Sequence, residues 1–84
     1  MKYIVSSAHY DKEYDILNLK FGDMSNSYGD EDVDNIVWMK DIETDVITGL
    51  TVFCFAEMVF KNDHRINVLK NYIDLNGIIR QLLS

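Results

Sequence analysis

Acidic side chains occur at two places in the chain with the types and spacing that acid–base or metal chemistry requires. Asp11, Glu13 and Asp15 alternate through "YDKEYDILNLKFGD", and a second acidic run, "DEDVD", covers residues 30–34. Paired carboxylates act as general acid and base when burial raises the pKa of one while its neighbour stays ionised. The competing interpretation is a turn, because Asp side chains bond nearby backbone N–H groups there. Since alternating apolar runs flank residues 11–15, we favour the turn.

The second acidic run partly matches a calcium-binding EF-hand loop. Asp30, Asp32 and Asp34 fit positions 1, 3 and 5, but Asn35 stands where the loop needs Gly and Asp41 where it needs a bidentate Glu. No helical pattern flanks the run, so we expect a solvated loop and no metal site.

Cys54 is the single cysteine, and with His9 or His64 it would supply a nucleophile and a base. It lies in the aromatic run "VFCF" of an acidic protein, which favours a buried structural cysteine. The chain contains no phosphate-binding, dinucleotide-binding or zinc-protease motif. We therefore expect no catalytic residue, no cofactor and no enzymatic activity.

The charge distribution narrows the range of partners. The 84 residues carry a formal net charge of −6, and residues 11–45 hold eleven acids against three lysines. Nucleic acid is disfavoured as a direct partner because binding it requires a basic surface, whereas a basic protein partner is favoured. One cysteine and no apolar run of about 20 residues indicate a cytoplasmic protein without membrane association.

Alternating patterns predict the first part of the fold. The runs 2–10, 15–21, 33–41 and 46–55 alternate apolar and polar residues or are rich in β-branched residues, which predicts four strands. Gly22–Asp32 is rich in Gly, Ser and acids and is predicted as a loop. Short connections then predict a four-stranded antiparallel β-meander over residues 1–55, in which Gly49 indicates a bulge or close packing.

The remaining residues, 56–84, predict a helical tail. Asn62 or Asp63 is a candidate N-cap, Asp74 is a second one, and apolar stripes follow both positions. One kinked helix and two short helices both fit, and segment 56–61 fits either a helical turn or a continued strand. The whole chain, 1–84, is thus expected to be one α+β domain with its helices packed on one sheet face.

Helices on one face would leave the other face of a thin sheet uncovered. We expect that face to include some of Ile16, Val37, Met39, Leu50 and Val52, and their exposure predicts a homodimer. Trp38 and the phenylalanines are predicted to be core residues.

Tyr28 is the aromatic residue that we predict to be exposed, because it lies in the polar loop. An exposed aromatic beside acids indicates a protein contact. Tyr28, Asp30, Glu31 and Asp32 are therefore the candidate partner-contact residues.

The pattern Tyr10-Asp11-x-Glu13-x-Asp15-Ile16-Leu17, followed by an acidic spacer and "NIVWMKDIETDVITGLTVFCF", resembles the DUF2283 family of small prokaryotic proteins. The resemblance covers roughly residues 8–55, with Asn18 and Leu19 departing from the family's aromatic residue and Ile. It implies a small antiparallel sheet with a helical addition, no established catalysis, and in some members a role as the partner of a small basic toxin. It also implies that the family-signature residues shape turns and strands, namely Tyr10, Asp11, Glu13, Asp15 and Gly49.

The sequence therefore favours a non-enzymatic acidic interaction module, with an antitoxin-like role toward a small basic protein as its specific form. The alternative is a small-ligand or divalent-metal binding protein, or an enzyme, that uses the acidic residues.

Overall fold

The computed structural model of the chain describes residues 2–83, so the outermost positions of the predicted domain, 1 and 84, fall outside the described residues. It contains an antiparallel sheet followed by helices, which confirms the α+β class. The described part has five strands and three helices, so the predictions of four strands and of one or two helices are wrong. In chain order the elements are β1 (Ser7–Asp11), β2 (Ile16–Lys20), β3 (Ser27–Val33), β4 (Ile36–Asp41), β5 (Ile47–Phe53), α1 (Phe55–Phe60), α2 (His64–Leu69) and α3 (Leu75–Leu83).

The strand order in the sheet is β1-β2-β5-β4-β3, and every neighbouring pair is antiparallel. The chain builds the β1–β2 hairpin, crosses to the far edge, and returns through β3, β4 and β5 until β5 pairs with β2. The sheet is therefore not the predicted meander. Strand β3 occupies most of the segment Gly22–Asp32 that was predicted as a loop, and this additional strand requires the crossover.

The first strand is shorter than predicted: Ser6 still donates its N–H and its hydroxyl to the Lys20 carbonyl of β2, but the chain before Ser6 turns toward the helices. The Tyr3 N–H donates a 2.6 Å hydrogen bond to the Tyr72 carbonyl in the helical part of the chain. The rings of Tyr3 and Phe21 stack with centroids 5.0 Å apart, and Tyr3 also contacts Trp38. The N-terminal segment thus packs on the helical side rather than extending β1.

The strand register sets which face of the sheet is buried. Leu17 lies opposite Val52 and Leu19 opposite Leu50, and all four side chains are almost fully buried. Burying each such side chain contributes about 1.5–3 kcal/mol. They join the helices in one cluster, whose further members are Ile36, Phe55, Met58, Ile66, Leu69, Ile73, Leu75 and Ile78.

Of the five residues from which the uncovered face was expected to draw, Leu50 and Val52 lie on the covered face, because they pair with the buried Leu19 and Leu17 and side chains of directly opposite residues share a face. On the uncovered face Ile16, Val37 and Met39 are half-buried, and Phe53 is 39% exposed.

Gly49 lies where two segments approach closely. A Cβ atom on Gly49 would be 2.6 Å from the Leu19 carbonyl oxygen and 2.9 Å from the Met24 sulfur. The register between β4 and β5 also shifts beside it, between Met39 and Lys40. Close packing and a neighbouring irregularity, as expected from the sequence, therefore both occur at this position.

The helices begin at identifiable residues. Of the two N-cap candidates for α2, Asp63 is the cap, and its carboxylate accepts a hydrogen bond from the Arg65 N–H. Segment 56–61, left open by the sequence, is helical up to Phe60. Within residues 2–83 no helix is long and apolar enough to cross a membrane.

Candidate functional site

The β1–β2 turn is organised by Asp11. Its Oδ1 accepts hydrogen bonds from the backbone N–H groups of Glu13, at 3.0 Å, and of Tyr14, at 3.2 Å. Such side chain–backbone bonds stabilise a turn without any tertiary partner. The Asp11 carboxylate is thus hydrogen-bonded within its own turn, and the Glu13 side chain is exposed.

Asp15 closes the same turn and reaches helix α1. Its backbone is left-handed, with φ of 56°, and its Oδ1 accepts hydrogen bonds from the Tyr10 hydroxyl and the Ala56 N–H, each at 2.7 Å. Its Oδ2 accepts the Glu57 N–H at 3.2 Å. Because Cys54, the residue preceding α1, provides no side-chain cap, Asp15 caps the helix from a turn about 40 residues earlier in the chain.

The electrostatics of this contact do not suit acid–base chemistry. Partial burial of Asp15 opposes its ionisation, but the hydrogen bonds from Tyr10, Ala56 and Glu57 outweigh burial and lower the pKa of its carboxyl below the ordinary 3.8. Burial, followed by the bond to Asp15, raises the pKa of Tyr10 to about 12. A general acid at neutral pH needs a carboxyl whose pKa is raised, so this geometry supports a structural anchor.

The same turn occurs a second time between β4 and β5. Asp41 Oδ1 accepts the N–H groups of Glu43, at 2.9 Å, and Thr44, at 3.1 Å, and Asp45 is left-handed with φ of 59°. Asp45 Oδ1 accepts the Tyr28 hydroxyl at 2.9 Å. The signal in the sequence is the recurring spacing of "DKEYD" and "DIETD", which the sequence analysis did not connect.

The four candidate partner-contact residues lie together on β3, which is an edge strand. Tyr28, Asp30, Glu31 and Asp32 are all exposed, with Tyr28 at 38%. Asp30 forms a 2.6 Å ion pair with Lys40 of β4. Within residues 2–83, Glu31 and Asp32 take part in no ion pair.

The EF-hand pattern is not realised as a loop. Asp30 and Asp32 lie in β3, Asp34 and Asn35 form the tight turn after it, and Asp41 ends β4. The part of the chain that the structure describes contains no group of three or more His, Cys, Asp or Glu side chains arranged to hold a metal ion.

Cys54 and the two histidines lie in different environments. Cys54 is half-buried between β5 and α1, His9 is exposed on β1, and His64 begins α2. Among residues 2–83 no hydrogen bond joins the thiol to either imidazole, so no activated nucleophile is assembled there.

A cleft that the sequence analysis missed opens on the helical side of the sheet, between α2 and the β3–β4 hairpin. It has a volume of about 390 Å³, within the usual range for ligand sites. Trp38 lies against Tyr72 edge-to-face, with ring centroids 5.8 Å apart. The lining is mainly apolar and consists of Tyr3, Asp32, Val33, Ile36, Trp38, Ile47, His64, Arg65, Val68, Leu69 and Tyr72.

The cation at the rim of the cleft is already compensated. Arg65 Nε and Nη2 donate to the two carboxylate oxygens of Asp63 at 2.9 and 2.8 Å, and Nη1 donates to the Asp34 carbonyl at 2.9 Å. The bidentate pair with Asp63 is local to the start of α2, and the bond to the Asp34 carbonyl joins α2 to the β3–β4 turn. The cleft therefore offers apolar surface rather than an available positive charge.

Comparisons of the chain with protein-family models, with curated proteins and with solved structures find no match in any of the three. The resemblance to the DUF2283 family therefore stays a prediction.

The hydrogen bonds between Asp15 and helix α1 predict that replacing Asp by Asn destabilises the protein more at Asp15 than at Asp45 of the related turn. Asn tolerates a left-handed backbone, so Asp15→Asn tests the carboxylate alone and should lower the free energy of unfolding by about 1–3 kcal/mol. Asp45→Asn is the matched control, because Asp45 caps no helix and its bond to Tyr28 is exposed. Urea denaturation of both variants measures the difference, and equal losses would contradict the anchoring role of Asp15.

A pH dependence of stability follows from the same carboxylate. Because the pKa of Asp15 is lower in the folded chain, its contribution is present above about pH 4 and is lost as the pH falls further. The pKa of Asp63 is also lowered, by the side-chain hydrogen bond from Arg65, and acts in the same direction. Urea denaturation across pH 2–7 should show the loss, and Asp15→Asn should lose less stability over this interval. An equally steep loss in that variant would contradict the assignment.

Proposed function

We propose that the protein is a non-enzymatic interaction module that binds a basic, extended segment of a partner protein along the outer edge of β3. The observation that supports this proposal is the exposure of Tyr28, Asp30, Glu31 and Asp32 on a strand that pairs with β4 alone. An antitoxin-like role toward a small basic protein is the specific form suggested by the resemblance to DUF2283. A cytoplasmic setting suits a chain with a single cysteine.

Backbone groups along the outer edge of β3 would bind the backbone of the partner segment. An edge strand presents unpaired N–H and C=O groups, and an extended segment of a partner binds there by adding a strand to the sheet. With seven residues, β3 is as long as any strand in the described sheet. Such binding needs no concave pocket and no catalytic group.

The acidic side chains of β3 would favour basic partner segments over a second copy of β3. Glu31 and Asp32 have no ion-pair partner within residues 2–83, so lysines or arginines of an incoming strand would gain opposite charges beside them. Two copies of β3 pairing edge to edge would instead bring acid against acid, which is unfavourable. The strand is thus protected from self-association and remains open to a basic partner.

A test uses the synthetic peptide acetyl-Lys-Val-Lys-Val-Lys-Val-amide as probe. The double variant Glu31→Gln/Asp32→Asn should bind it roughly two- to thirty-fold more weakly, because each exposed pair contributes about 0.2–1 kcal/mol. The matched control Glu13→Gln/Glu43→Gln removes the same net charge from exposed turn positions and should bind like the original protein. Calorimetric titration measures both.

Hydrogen exchange on the peptide complex should show added protection at alternate β3 amides. The proposal fails if the peptide does not bind, or if both double variants weaken binding equally, since only overall charge would then matter.

The homodimer expected from the sequence is proposed to use a different surface, the uncovered face that carries Phe53. Phe53→Ser should convert the dimer to a monomer, because the apolar contact would be removed. Phe60→Ser, on helix α1, is the matched control, since Phe60 is also exposed. A light-scattering mass near 9.8 kDa for the original protein at micromolar concentration would contradict the dimer.

A further inference from the structure

The cleft between α2 and the β3–β4 hairpin is not needed for pairing along β3, yet it borders that strand. We propose that the cleft receives a bulky apolar side chain of the bound segment, so that the segment recognised alternates basic and apolar residues. This inference rests on the proposed function, and it names the partner's chemistry at the same site.

The position of the cleft favours this occupant. Asp32 and Val33 of the edge strand β3 line the cleft, and so do Ile36 and Trp38 of the neighbouring strand β4. A strand added to β3 would lie about 4.8 Å beyond it. A long side chain from that strand can therefore cross β3 and reach the cleft, whereas a short one cannot.

The register of the hairpin assigns the two faces. Asp30 lies opposite Trp38 and Val33 opposite Ile36, so these residues share the face on which the cleft opens. Glu31 lies opposite Val37 and belongs to the uncovered face. Because side chains of an added strand alternate between faces, every second residue would point toward the cleft and the others toward the side of Glu31.

The residues that line the cleft determine which kind of side chain from the bound segment can enter it. The charge of Arg65 is neutralised by Asp63, and the remaining contacts are largely the aliphatic and aromatic groups of Ile47, Val68 and Tyr72. Val68 and Tyr72 are 38% and 44% exposed, so a guest would remove apolar surface from water. An aromatic or branched aliphatic side chain fits this lining, and an anionic group does not.

Glu31 determines where the bound segment is expected to carry basic residues. On its face an incoming Lys or Arg gains an opposite charge, while Asp30 on the cleft side is already paired with Lys40. The free charge of Glu31 lies on the face opposite the cleft, while the exposed carboxylate of Asp32 borders the cleft itself. A segment that alternates basic and apolar residues places lysines beside Glu31 and an apolar side chain at the cleft, so alternation rather than overall composition is expected to be recognised.

The fluorescence of Trp38 reports binding in the cleft directly, because Trp38 is the single tryptophan and lines the cleft. The probe is acetyl-Lys-Phe-Lys-Phe-Lys-amide, compared with acetyl-Lys-Lys-Phe-Phe-Lys-amide of the same composition. The alternating peptide should shift the Trp38 emission and bind roughly threefold more tightly than its isomer, because it can place both Phe side chains on the cleft side and all its lysines on the side of Glu31, whereas the adjacent Phe residues of the isomer point to opposite faces.

Two valine variants separate the cleft from the edge. Val68→Gln should weaken the alternating peptide roughly tenfold, because Gln places an amide in the cleft. Val46→Gln is the matched control, since Val46 is equally apolar, is 60% exposed and does not line the cleft.

The outcomes distinguish the two proposals. If both peptides bind equally and Val68→Gln has no effect, while Glu31→Gln/Asp32→Asn still weakens binding, the cleft proposal is overturned and the β3 proposal stands. If neither Lys-Phe peptide binds and the Lys-Val peptide also fails, the proposed function falls and the cleft proposal falls with it.

Discussion

The hydrogen bonds that the Asp15 carboxylate accepts are the interaction on which the joining of the sheet to helix α1 depends. This carboxylate accepts two N–H groups at the start of α1 and the hydroxyl of Tyr10, so one side chain joins the β1–β2 hairpin to the point where the chain leaves β5. Helix α1 has only six residues, and a helix of that length is not stable in water by itself. The anchor therefore helps to hold a helix that contributes Phe55 and Met58 to the core.

The two related turns show how one local pattern serves different purposes. Asp11 and Asp41 close their turns in the same way, through two backbone N–H groups each, and this bond is encoded within four residues. The left-handed residue that ends each turn differs in its partners. Asp15 meets a helix N-terminus, whereas Asp45 meets a tyrosine hydroxyl on β3. Local sequence specifies the turn, and the tertiary neighbour specifies the role.

The sequence predicted those features that depend on short-range periodicity. The α+β class, strands β2, β4 and β5, and an N-cap at Asn62 or Asp63 follow from alternation and capping within a few residues. Strand β3 was missed because six of its seven residues are exposed, so no apolar alternation marks it. The face of Leu50 and Val52, the capping role of Asp15 and the cleft depend on contacts between distant segments, and no local pattern contains them.

The exposure of β3, which leaves it without the apolar alternation that marks a strand in the sequence, also makes it a candidate binding strand. A strand buried on one face must carry alternating apolar residues, whereas an exposed edge strand carries whatever its solubility and its partners require. Here that sequence is acidic, which disfavours pairing between identical edges. The described helices leave β3 exposed and leave a cleft beside it, so backbone, charge and apolar surface meet along one edge. A site of this kind follows from which strand the helices leave uncovered, and that depends on the crossover after β2.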